Sequence, residues 1–239
     1  MKNICFLGAM SAELIYLENL LGKEKTSYKI VKDFKIIDVA EENVFYRPSK
    51  KLGLTVLHAY EKSTNIQVIV QNDYENNISV INTGVGLNNA YLAAKTIFQK
   101  NYDYFINLGT AGAIDETLEH GDILSIDTVL YQDDKNELFY YPLTHLTNFK
   151  KGGVLSCSSF VDNEKKKFYC NKFKELKLDI NAVDMELYAL REVIPNIISV
   201  KVISDKVDEN NDAFLKSFPN FIETKYALAV EKILEKITS

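Results

Sequence analysis

The chain has 239 residues, 46% of them hydrophobic, with a formal net charge of −5 and an isoelectric point near 5.4. That length and apolar content support one large core and argue against disorder. Lysines are spread rather than clustered, which disfavours nucleic acid and anionic membranes as partners.

No apolar run approaches the roughly 18–20 residues that span a bilayer, and the apolar stretch after Met1 is too short for a signal peptide. Cys5, Cys157 and Cys170 are odd in number and lack metal-ligand spacing. They read as free thiols in a reducing cytoplasm. Only Arg47 and Arg191 supply the guanidinium favoured for bidentate phosphate binding.

In chain order, Asn3–Leu7 reads as a buried strand ending at Gly8. Ser11 suits the cap of a helix over 12–21, with Gly22 as its stop, and this places Glu13 in the first helical turn. Strands are expected at 34–39, 44–46, 54–60, 67–70 and 78–81, with Pro48 and Lys50-Lys51 marking a loop. Thr83-Gly84-Val85-Gly86 then leads into a helix over 88–99. A strand over 104–108 ends in Gly109-Thr110-Ala111-Gly112, and Gly121-Asp122 opens a β run through Tyr131. Residues 132–152 show no clear period and read as loop. A strand over 154–157 ends at Ser158-Ser159-Phe160, and the Lys-rich 164–176 reads as an exposed helix or loop. A helix over 185–193, a buried strand over 197–203 and an amphipathic helix over 220–237 complete the pattern.

Alternating strands and helices predict an α/β domain spanning 1–239 with a mostly parallel or mixed sheet. Ligands in such sheets bind beyond the carboxyl ends of strands. Gly8, Thr83-Gly84, Gly109-Thr110, Ser158–Phe160 and Ser204-Asp205 all fall at predicted strand ends. Glu13, Glu186 and Asp205 lie near such ends, and parallel neighbouring strands would bring them to one edge.

Each feature also has an ordinary reading. Glu13 can complement a helix dipole, Asp205 can start a turn, and Asp184 and Asp162 can be surface residues. Phe160 and Met185 suit a core. Thr83–Gly86 lacks the third glycine and the downstream acid of a dinucleotide fingerprint, so no nicotinamide or flavin is expected. Nothing positions the three histidines for a metal or a nucleophile triad.

Six segments in order carry a stronger signal. They are Gly8-Ala9-Met10-x-x-Glu13, Thr83-Gly84-Val85-Gly86-x-x-Asn89-Ala90, Asn107–Gly112, Gly121-Asp122-Ile123, Asp184-Met185-Glu186 and Ile203-Ser204-Asp205. Together they resemble the nucleoside phosphorylase and nucleosidase superfamily, in particular its 5′-methylthioadenosine/S-adenosylhomocysteine nucleosidase branch. The resemblance implies a three-layer α/β/α fold around a mixed, partly barrel-like sheet, usually a homodimer, without cofactor or metal. It implies hydrolysis of the bond between ribose and a purine. By position, Glu13 would activate water and Asp205 would protonate the purine N7. Glu186 would hold ribose hydroxyls, Met185 would pack on the sugar, Phe160 would stack on the base and Val161 would meet its edge. Met10, Thr83, Gly84 and Ser204 would complete the binding site. Departures from the family pattern are a long 23–78 segment, a short 132–157 segment, Asp184 in place of Glu, and Ser158-Ser159 in place of Gly-Asp. Three alternatives stand beside this reading: a purine nucleoside phosphorylase, disfavoured because no arginine lies near Gly8–Glu13 or Thr83–Gly86, a hydrolase of another purine nucleoside such as adenosine or futalosine, and a catalytically weak nucleoside-binding protein on the same fold.

Overall fold

The computed structural model describes residues 2–10, 13, 44–49, 54–59, 67–72, 76–98, 102–206 and 211–238. The expected helix over 12–21, apart from Glu13, and the expected strand over 34–39 lie outside the described residues, as do Lys50 and Lys51.

Eleven strands among the described residues form one sheet. They are β1 (Lys2–Gly8), β2 (Val44–Ser49), β3 (Leu54–Ala59), β4 (Gln67–Asn72), β5 (Asn76–Asn82), β6 (Tyr104–Ala113), β7 (Ile123–Gln132), β8 (Leu138–Pro142), β9 (Lys150–Ser156), β10 (Ala182–Asp184) and β11 (Ile198–Lys206). Four helices are described: α1 (Leu87–Ile97), α2 (Asn163–Leu176), α3 (Leu187–Val193) and α4 (Asn211–Thr238).

β1 pairs in parallel with β5 and β6, and β6 in parallel with β11. The sheet continues from β11 through β7 and β9 to β10, which pairs back onto β6. That return closes five strands into a barrel. On the other side β5, β4, β3 and β2 form an antiparallel meander.

Strand alternation builds the layers, since successive side chains point to opposite faces. Cys5, Leu7 and Ile81 pack with Ala90, Ala94 and Ile97 of α1 and Leu187 and Leu190 of α3. Their neighbours Ile4, Phe6, Ile78 and Val80 pack with Tyr226, Ala229, Val230, Ile233 and Ile237 of α4. Helices therefore cover both faces, giving the three-layer arrangement around a mixed, partly closed sheet. A third cluster seats Phe173 of α2 against Leu130, Leu155 and Ile180.

Several expectations are corrected. Residues 132–152 are not loop: β7 turns into β8, and β9 begins at Lys150. Asp133 makes that hairpin by accepting from the backbone N–H groups of Lys135 and Glu137, at 2.9 and 2.8 Å. Its neighbour Asn136 takes a positive φ of 65°, a conformation that asparagine tolerates well. Phe139, Tyr140 and Tyr141 of β8 are strand formers whose runs are too short to show a period. Pro48 lies within β2 rather than in a loop. It is accommodated because β2 is the last strand in the described sheet order and needs no donor on its outer side. Of the two readings expected for 164–176, helix or loop, the helix holds: it spans 163–176 and is capped by Asp162, whose side chain accepts from the Lys165 N–H. α4 begins nine residues before the expected start at 220 and runs through Pro219.

Gly153 on β9 sits directly beneath the chain at Asp179–Ile180. A Cβ added there would run into the Asp179 carbonyl oxygen and lie 2.8 Å from Ile180 Cδ1. Gly153→Ala should cost roughly 1–3 kcal/mol or more, as overpacking against backbone does, read as a lower midpoint in urea unfolding.

Candidate active site

The carboxyl ends of β1, β6 and β11 and the turn after β10 meet at one rim. Glu13 is buried there, 2% exposed, immediately after β1. Its Oε2 accepts from the N–H groups of Ala9 and Met10, at 2.9 and 3.1 Å. Its Oε1 accepts from Thr110 N–H at 2.9 Å, Thr110 Oγ1 at 3.0 Å and the Tyr226 hydroxyl at 3.3 Å. A carboxylate ringed by donors is held in one orientation.

Beneath it lies a buried ion pair. Lys201 Nζ, on β11, is 2.7 Å from Asp184 Oδ2, at side-chain exposures of 1% and 0%. Asp184 also accepts from Ser156 Oγ at 2.5 Å and from Leu187 N–H at 3.0 Å, so its lone pairs are well used. Gly109 makes room for this cluster: a Cβ there would lie 3.3 Å from Lys201 Nζ and 3.5 Å from Glu13 Oε1. Burial pulls the Lys201 ammonium down, but Asp184, Glu186 and Glu13 together hold it above its ordinary value. It therefore stays charged.

Glu186 completes the cluster at the start of α3. Its Oε1 accepts from Gly86 N–H at 2.8 Å and its Oε2 from Met185 N–H at 3.3 Å. Gly86 has φ of 98°, a region that glycine enters without steric cost, and this turn aims its N–H across the rim. Burial first, then the Asp184 charge, push Glu186 up to about 7, against the lowering effect of Lys201 and the Gly86 bond.

On β11 the register with β6 slips between Ile203 and Asp205. The extra residue is a β-bulge, a device that re-aims side chains next to sites. Ser204 Oγ lies 2.6 Å from Asp205 Oδ1 and 3.4 Å from the Ala111 carbonyl.

Met10, Glu13, Phe160, Val161, Met185, Glu186, Ser204 and Asp205 all line one cavity of about 420 Å³. That volume is in the range of small-molecule sites. Phe160 is 68% exposed at its mouth, so it is not the core residue that its type suggests. Thr83 and Gly84 are not on the wall. The Thr83 hydroxyl lies 3.2 Å from the Gly8 carbonyl and 3.0 Å from that of Gly84, and Asn82 Oδ1 accepts from Gly84 N–H at 2.9 Å. This turn shapes the rim and reaches the site through Gly86. Burial pushes the wall thiol of Cys157 up to about 12, leaving it inert.

Sequence reasoning missed Lys201 and Tyr226 and gave Asp184 an ordinary surface reading. A lysine midway along the apolar run from Ile198 to Ile203 is the available signal, because a buried lysine needs a paired acid. Among the described residues no cluster of His, Cys, Asp and Glu has the spacing to hold a metal.

The fold and this rim define a nucleoside phosphorylase-like α/β protein. Residues 54–149 match the model of the phosphorylase superfamily. The 5′-methylthioadenosine/S-adenosylhomocysteine nucleosidase of Staphylococcus epidermidis is 28% identical over 57% of this chain and 72% of its own length. That of Buchnera aphidicola is 26% identical over 74% of this chain and 81% of its own. Futalosine hydrolase of Helicobacter pylori superposes with a TM-score of 0.71, 17% identity and coverage of 98% and 97%. The Helicobacter pylori nucleosidase, a mutant with 5′-methylthioadenosine in its active site, gives 0.70, 16% identity and coverage of 98% and 99%. The chain thus resembles the 5′-methylthioadenosine/S-adenosylhomocysteine nucleosidase branch of this superfamily, as its six motifs indicate.

Two outcomes follow from the buried charges. Lys201→Met leaves Asp184 without its cation and should cost about 3–5 kcal/mol in urea unfolding. Glu186 binds its proton more tightly in the folded than in the unfolded chain. The stability this supplies is full below the ordinary carboxylate value near 4.5 and is lost as pH rises through about 7. Glu186→Gln should therefore remove part of the loss of stability between pH 5 and 8, measured by thermal unfolding at both pH values.

Proposed function

We propose that the chain is a purine nucleosidase, hydrolysing the N-glycosidic bond of an adenine nucleoside, 5′-methylthioadenosine and/or S-adenosylhomocysteine. One observation carries this reading. The cavity wall bears Glu13, Asp184, Glu186 and Asp205, and none of the described residues that line it is Lys or Arg. Such a wall suits an oxocarbenium-like centre and repels phosphate, so water is the nucleophile. The similarity to named nucleosidases supports the substrate class.

Glu13 takes the proton from the attacking water. Asp205 gives a proton to the purine N7, making the base a better leaving group. Glu186 accepts from ribose hydroxyls, in addition to its backbone donors, and Met185 packs on the sugar. Phe160, exposed at the mouth, stacks on the base, while Val161 offers backbone groups to its edge. Met10 and Ser204 line the remaining wall, and Thr83 and Gly84 hold the turn that delivers Gly86. Lys201, paired with Asp184, sets one positive charge among the crowded carboxylates.

The same reading makes the protein a cytoplasmic homodimer built from one domain. Val85, Tyr91, Leu92 and Phe98 expose apolar side chains along and beside α1, which suits a contact between copies. Described cysteines are unpaired, and no helix of the described residues is long and apolar enough to cross a membrane. Because the superposition on futalosine hydrolase is as good as that on the nucleosidase, the substrate panel must include futalosine.

Free-base release from the panel, with and without phosphate, tests the reaction. Turnover should be independent of phosphate, and a strict phosphate requirement contradicts the reading. Asp205→Asn should lower kcat roughly 10²–10⁴-fold, the range for a lost general acid, while nucleoside binding measured by calorimetry stays near wild type.

A further inference from the structure

The carboxylate of Glu13 is held from three directions. Two donors, Ala9 and Met10 N–H, come from its own turn, and two, the N–H and hydroxyl of Thr110, come from β6. The fifth comes from α4, 213 residues away in sequence: the Tyr226 hydroxyl, 3.3 Å from Oε1. Tyr226 is fully buried, its ring packed in the cluster that joins α4 to β1, β5 and β6. It is not among the residues that line the cavity, so it meets no substrate and acts through Glu13.

We propose that Tyr226 is a positioning residue for the reaction, its hydroxyl fixing the orientation of Glu13, so that the packing of α4 sets the aim of the water-activating base. This rests on the reading of Glu13 as that base. A buried phenol beside a carboxylate has one favourable arrangement, with the phenol as donor and the carboxylate as acceptor. Burial, the Glu13 charge and the bond itself all disfavour ionisation of the phenol, so its proton stays on the donor side. The other charged groups that act on this pair are Glu186 at the start of α3 and Lys201 on β11, and Asp184 on β10 faces those two. A change confined to Tyr226 leaves all three in place.

Tyr226→Phe removes the hydroxyl and keeps the ring. The Glu13 carboxylate then loses the donor that α4 supplies. The expected result is a kcat roughly tenfold lower, as one charge-assisted bond sets, with KM within about twofold. Ile233→Val, in the same helix and cluster, provides the structural control: it should lower the melting temperature without lowering kcat at a temperature where both proteins are folded. Glu13→Gln is measured in parallel. If Glu13→Gln is inactive while Tyr226→Phe keeps the wild-type kcat, the role of Tyr226 is overturned and the base stands. If Glu13→Gln is fully active, the reading of the base fails and takes this proposal with it.

Discussion

The ion pair between Lys201 and Asp184 is the interaction on which the rim depends. Glu13, Asp184 and Glu186 are all buried within one small region, with Asp205 half-buried beside them. Carboxylates at such density repel one another and resist desolvation. A single buried ammonium, 2.7 Å from Asp184, offsets much of that cost. Glu186 shows what remains, since it is pushed up to about 7 even with Lys201 nearby. A site built this way holds carboxylates in different environments, which is what assigns different proton roles to chemically similar groups.

The fold delivers these groups through few devices. Parallel pairing of β1, β6 and β11 brings three carboxyl ends to one level. The slip between Ile203 and Asp205 turns both Ser204 and Asp205 to the cavity. The short strand β10 crosses back onto β6 and closes the barrel, which carries Asp184 and Glu186 to the same rim. α4 then seals the far side of the sheet and reaches Glu13 through Tyr226. Each device is local, but every one ends at the same four carboxylates.

Much of this was legible in the sequence, and the exceptions have physical causes. Glu13, Glu186 and Asp205 stood out because acids at the ends of apolar runs are conspicuous. Their shared edge followed from the rule that α/β sites lie beyond carboxyl ends. Lys201 was hidden inside the apolar run of β11, where pattern alone reads the strand and not its exception. Asp184 was misread because only the closed barrel shows that its side chain points inward. Tyr226 looks like any aromatic of an amphipathic helix, and its hydroxyl contact spans most of the chain. β8 and β10 were missed because strands of five and three residues leave too little pattern. The strand-to-helix turn at Thr83–Gly86 lies where the glycine pattern places it, but Thr83 and Gly84 do not line the cavity, and the backbone donor to Glu186 is Gly86, two residues past the glycine singled out.

The central claim is that water, activated at Glu13, attacks the anomeric carbon of a purine nucleoside in this cavity. Turnover of 5′-methylthioadenosine in heavy-oxygen-labelled water, followed by mass spectrometry of the sugar, tests it most directly. The account predicts one labelled oxygen at the anomeric position of free sugar, with free adenine released in equal amount, whether or not phosphate is added. A sugar phosphate product, or base release without label in the sugar beyond what exchange of the free sugar gives, would contradict it.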